Sequence, residues 1–336
     1  MTGVINIKEK AVSHLARRHM NSIGLALLAL MFLQWVVSMS VYYAFAKHVG
    51  APIGFYGISP AGILKTVAQL KRAAGRNVLV PVIALLLATV IADTVPFVIC
   101  ARAADVDLRQ VFSRPKVSGG TTALYGIVAF GASLFASLAV SLVSQLLKSL
   151  AKYQLTMPSI SIPWKSPAGA VVMILAVVVA APLAEEFICR GVLLNVFRRF
   201  GDFFAVVASS LVWALLHGNF VQGLPVFAMG LFFGMLALKA DSIIPTVILH
   251  SLNNILSMAE QTAAIRNTVS LKFGVSMINF TLLIIAVVLA SVYYRSFEGV
   301  QRGESARGFA AFFTCVPIII AILICAAATA LSIKPV

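Results

Sequence analysis

From Phe203 to Leu238 the chain carries no Asp, Glu, Lys or Arg. A helix at the surface of a water-soluble protein keeps a polar face, and this stretch has no charge with which to build one. It is also longer than the roughly 20 apolar residues that one bilayer-crossing helix needs. Gly218-Asn219 and Gly223-Leu224-Pro225 are turn signals that divide it in two. Further apolar runs fall at 22–46, 78–101, 121–147, 167–196, 242–259, 273–294 and 308–332. Hydrophobic residues make up 60% of the 336 and charged residues 11%, against roughly half and a quarter in soluble domains. The expected fold is all-α: a polytopic transmembrane helical bundle of eight or nine spanning helices, each of about 20 residues.

The net charge is +15, but Lys and Arg sit in short stretches between apolar runs. That placement suits anchoring in anionic headgroups and setting topology. It does not form the basic face that nucleic-acid binding requires. The expected partners are therefore membrane lipid and no nucleic acid. Residues 59–76 read as a basic amphipathic helix at the membrane surface. Ser59-Pro60 would start it, Ile63, Val67, Leu70 and Ala74 form its apolar face, and Lys65, Lys71, Arg72 and Arg76 supply charge. Charge near the first span favours an inside N-terminus. The first apolar run follows a basic, polar segment, which suits an uncleaved first span. Cys100, Cys189, Cys315 and Cys325 lie in apolar segments without a CxxC pair, and read as small hydrophobes, not disulfides or metal thiolates.

Three spans carry polar side chains at helical spacing. In Ala184-Glu185-Glu186-Phe187-Ile188-Cys189-Arg190-Gly191 two acids and a base interrupt an apolar run. Each ionised group costs about 2.5–3.5 kcal/mol at a helix centre on insertion scales, so all three must face the bundle interior. Glu186 and Arg190 are i, i+4 and can pair, while Glu185 projects about 100° round the helix. In Trp213-Ala214-Leu215-Leu216-His217 the aromatic and the imidazole share a face. In His250-Ser251-Leu252-Asn253-Asn254 an imidazole and an amide do. Taken singly, each set also reads as packing: a charge-neutral helix clamp, a satisfied core histidine, interhelical glue. Together they supply a carboxylate, two imidazoles and an amide, the equipment for activating water and holding an oxyanion.

Glu185-Glu186-x-x-x-Arg190, the aromatic three residues clear of His217, and His250-x-x-x-Asn254 together resemble the CPBP family, the CAAX-processing and bacteriocin-processing intramembrane proteases also called Abi proteins. Pro182, Gly191, Phe227, Gly230, Gly234 and Pro245 match as well. Trp213 stands where that family often carries Phe, which keeps an aromatic wall. The resemblance covers roughly 167–256. It divides the chain into N-terminal membrane helices (1–165), a catalytic core (166–258) and C-terminal membrane helices (259–336).

The resemblance implies an intramembrane endopeptidase acting on a protein or peptide substrate. Glu185 and His217 would activate water, His250 and Asn254 would hold the oxyanion, and Glu186, Arg190 and Trp213 would support the site. The family has been described both as metalloproteases and as glutamic proteases. There is no HExxH motif, yet Glu185, His217 and His250 could still hold zinc, so metal-dependent and metal-free forms both stand. A bacterial cytoplasmic membrane is the expected location. Two other functions compete: a non-proteolytic immunity or scaffold protein of the same family, and a transporter. A transporter should spread polar residues along a pathway and show internal repeats, whereas here they gather in three spans. Gly230-x-x-x-Gly234 reads as close helix packing inside the bundle. Asp93, an acid in an apolar run, stands outside the expected catalytic set.

Overall fold

The computed structural model describes residues 2–52, 54, 60–75, 77–157, 162–298, 300, 301 and 303–336. Among the described residues the regular structure is helical except for one short ribbon, in which β1 (Tyr153–Leu155) pairs antiparallel with β2 (Ile333–Pro335). Eleven helices carry the architecture: α1 (Thr2–His48), α2 (Pro60–Ala74), α3 (Leu79–Ala103), α4 (Gly119–Ala151), α5 (Pro167–Phe200), α6 (Asp202–Leu216), α7 (Phe220–Ala240), α8 (Ile244–Arg266), α9 (Val269–Val292), α10 (Ser305–Thr314) and α11 (Val316–Leu331). The chain is an integral, multi-pass membrane protein. Large apolar side chains such as Phe32, Phe135, Leu142, Phe273 and Val292 cover its outer surface, as contact with hydrocarbon requires.

The expected count of eight or nine spans is too high. Among the described residues six helices are long and apolar enough to cross a bilayer, and a seventh span exists if α10 and α11, bent by 73° at their junction, are taken as one. Two stretches account for the difference. Helix α6 has 15 residues, about 22 Å at 1.5 Å per residue, which falls short of a hydrocarbon core about 30 Å thick. Helix α8 is long enough at 23 residues, but His250, Asn253, Asn254, Glu260 and Gln261 lower its apolar character. Helix α8 also keeps an exposed apolar face, with Ile248, Leu252 and Ile255 at its surface, whereas α6 is largely buried. Phe204, Val206, Val212 and Trp213 of α6 are all buried.

The turn between α6 and α7 follows from its sequence. Gly218 takes the left-handed conformation (φ +62°) that stops α6. The Asn219 side chain then accepts from the Gln222 amide to cap α7. His217 is thereby placed at the C-terminal end of α6. Helix α2 buries Leu70, Ala73 and Ala74 and leaves Lys65, Lys71 and Arg72 exposed. Its apolar face packs on Met39, Tyr42 and Ala46 of α1. Ser59, Arg76 and the side chain of Ile63 lie outside the described residues. All four cysteines are buried as free thiols.

Candidate active site

Helix α5 departs twice from α-helical geometry, with π-helical turns at Leu175–Ala180 and Phe187–Leu193. Such bulges inside helices often mark functional sites. The first has a readable cause. The Ala181 amide donates to the Ala176 carbonyl, so the next amide would serve Val177. That position is Pro182, which has no N–H. The orphaned Val177 carbonyl is met instead by Asn254 Nδ2 of α8 at 2.8 Å. Between the two bulges lie Glu185 and Glu186.

Glu186 and Arg190 pair as their spacing predicts. Arg190 Nη1 donates to Glu186 Oε1 at 3.0 Å, and both side chains are 0% exposed. Arg190 Nη2 also donates to the Gly230 carbonyl at 3.1 Å, and its guanidinium lies 4.2 Å from the centroid of the Trp213 ring, a cation–π geometry. The approach depends on Gly230. A Cβ there would lie 2.9 Å from Ser210 Cβ and 3.2 Å from Arg190 Nη2. The GxxxG motif thus packs α7 against α6 and α5, with Gly234 seated on Val206. The same carboxylate oxygen, Glu186 Oε1, accepts from Nδ1 of the buried His250 at 3.1 Å.

Glu185 points away from this cluster. Its Oε2 accepts from Trp213 Nε1 at 2.5 Å and lies 4.0 Å from His250 Nε2, too far for a direct hydrogen bond. Glu185, Trp213 and His217 line a cavity of about 120 Å³, together with Leu30, Gln34 and Asp93. His217 Nδ1 lies 2.9 Å from the Trp213 carbonyl. Both imidazoles rest against the Trp213 indole, with centroids 6.1 Å (His217) and 5.1 Å (His250) from it. Each histidine turns Nδ1 to an acceptor, so each neutral ring keeps its lone pair on Nε2.

The structure therefore brings together Glu185, Glu186, Arg190, Trp213 and His250, with His217 on the same cavity as Glu185. Asn254 stands apart, with one amide hydrogen committed to α5. An Asn amide has a second hydrogen. For a metal, the Nε2 lone pairs have suitable chemistry, because ligating histidines commonly donate their other N–H to a carboxylate or carbonyl. Among the described residues no three His, Cys, Asp or Glu side chains cluster as a ligand set.

Two features were not foreseen. Trp213 is a hydrogen-bond donor as well as a wall. Asp93, which accepts from Gln34 Nε2 at 2.7 Å, faces the Glu185 cavity. An acid in an apolar run is by default a functional signal, but only the tertiary packing shows what it faces. Residues 167–256 match the family model described as type II CAAX prenyl endopeptidase Rce1-like, a peptidase family. No curated protein and no solved structure matches the chain.

Proposed function

We propose that the protein is an intramembrane endopeptidase of the CAAX-processing type, cleaving a membrane-associated protein or peptide with water activated by Glu185. The observation that carries this reading is the division of labour between adjacent glutamates. Glu186 is buried and bound to Arg190 and His250, whereas Glu185 is 28% exposed on its side chain and opens on a cavity.

Trp213 holds Oε2 of Glu185, leaving Oε1 to take a proton from water. His217, on the same cavity, accepts at Nε2 and helps to orient that water. The water oxygen attacks the scissile carbonyl carbon and a tetrahedral oxyanion forms. His250 would meet it from Nε2 when both ring nitrogens carry a proton. The free hydrogen of the Asn254 amide supplies a second donor. Glu185 then passes its proton to the leaving nitrogen as the C–N bond breaks. Preorganised donors of this kind are each worth about 10²–10³ in rate.

The match to a CAAX prenyl endopeptidase family over 167–256 makes an S-prenylated peptide with three residues after the cysteine the first substrate to try. Purified protein should release the C-terminal tripeptide, read by mass spectrometry, and Glu185→Gln protein should not. Binding of such peptides without cleavage by the parent would favour the immunity or scaffold role.

A further inference from the structure

The cavity beside Glu185 has a second polar wall that the proposed reaction does not use. It comes from outside the segment 167–256. Asp93 follows directly on π-helical turns at Ala88–Ala92 of α3 and is 7% exposed. Gln34 of α1 lies on an exposed face of a candidate span and donates from Nε2 to Asp93 Oδ1 at 2.7 Å. Both line the cavity with Glu185, Trp213 and His217. An acid at this depth is costly, and the bond from Gln34 uses only one of the lone pairs that its two oxygens offer.

We propose that Gln34 and Asp93 bind the backbone of the substrate beside the bond to be cut. The inference rests on the peptidase reading. A peptide presented to Glu185 must be extended, so its N–H groups have no partners of their own. In a cavity within the bilayer each unsatisfied group costs several kcal/mol. The wall supplies what such a segment lacks. With one Nε2 hydrogen committed to Asp93, Gln34 keeps its carbonyl oxygen as an acceptor beside a second amide hydrogen, and Asp93 adds its remaining lone pairs. The ligand class is therefore an extended polypeptide segment contributing N–H donors. The exposed position of Gln34 puts the rim of the site at the lipid-facing surface of α1, where a membrane-anchored substrate arrives.

The test uses the full chain in lipid nanodiscs and an internally quenched, S-farnesylated peptide with three residues after the cysteine. The variants are Gln34→Ala, Asp93→Ala and Asp93→Asn. Each is assayed for kcat and KM, and each is combined with Glu185→Gln for equilibrium binding of the same peptide. Contacts made alike in ground and transition states change KM and leave kcat. Losing the carboxyl acceptor in Asp93→Ala, or the amide acceptor in Gln34→Ala, should raise KM and Kd about 3- to 10-fold. Asp93→Asn, which keeps a carbonyl oxygen, should fall between Asp93→Ala and the parent. If Asp93→Ala does not fold, the other two variants decide. A fall in kcat with KM and Kd unchanged would overturn the inference and leave the peptidase reading standing. Binding that Asp93→Ala weakens, in a parent that does not cleave, would overturn the peptidase reading and keep the site. Neither binding nor cleavage would overturn both.

Discussion

The indole nitrogen of Trp213 donates to Oε2 of Glu185 at 2.5 Å across two helices. The residue therefore holds two sides of the site at once, because the face of the same ring covers the Arg190 guanidinium at 4.2 Å. The Phe that the resembled family often carries here could supply only the second contact.

Trp213→Phe separates the two contacts. It keeps a ring over Arg190 and removes the donor, so kcat should fall about tenfold, the loss expected for one hydrogen bond to a charged group. The melting temperature in detergent should change little. Trp213→Ala removes a fully buried ring and should cost about 3–5 kcal/mol of stability. A Trp213→Phe protein with the parent's kcat would show that the bond does not position Glu185.

Arg190→Ala leaves the buried Glu186 carboxylate with His250 as its remaining partner, and breaking such a pair commonly costs about 3–5 kcal/mol. Arg190→Lys should restore little, since an ammonium cannot bond Glu186 and the Gly230 carbonyl in a planar fork while stacking on Trp213. Thermal unfolding in detergent reads both. An Arg190→Ala protein as stable as the parent would show that the pair does not form.

Gly230→Ala places a methyl group 2.9 Å from Ser210 Cβ and 3.2 Å from Arg190 Nη2. Overpacking of this kind costs about 1–3 kcal/mol, and here it also pushes the guanidinium off Glu186. Stability and turnover should fall together. Gly274→Ala, which meets nothing within 4 Å, is the control and should leave both near the parent values.

Asn254→Ala has two expected consequences. The Val177 carbonyl loses its donor, which costs about 1–3 kcal/mol when the group stays buried and unsatisfied. The oxyanion loses one donor, which costs about 10²–10³ in kcat. A loss of stability with kcat unchanged would make Asn254 a structural brace of the α5 bulge alone.

The residues of the site were legible where the chemistry is local. Glu186 and Arg190 are four apart on one helix, and their pair is the one the spacing dictates. Gly218-Asn219 ends and starts helices as such turns do. The number of spans was not legible, because α6 and α8 look like spans by apolar content while α6 is too short and α8 too polar to count as one. Nor could spacing show the partners that meet only in space. The Trp213–Glu185 bond joins residues 28 apart and the Gln34–Asp93 bond residues 59 apart. The engagement of Asn254 depends on a carbonyl freed by Pro182 on another helix, so the expected pairing of Asn254 with His250 gave no hint of it.

Chelation tests whether the reaction needs a metal. With Glu185 as base, activity of protein dialysed against a strong chelator should match that of untreated protein. Zinc bound at one per chain, with activity lost on chelation and regained only with metal, would instead assign Glu185, His217 and His250 as its ligands.

The central claim is that the Glu185 carboxylate activates the water. Glu185→Gln keeps the shape of the side chain and removes the base. Its single-turnover rate on an S-farnesylated peptide, measured beside the parent in nanodiscs, is the most direct test. General base catalysis alone contributes about 10²–10⁴-fold, so the rate should fall by about that much while peptide binding and melting temperature stay near the parent values. A Glu185→Gln protein that cleaves within a few-fold of the parent rate would contradict the account.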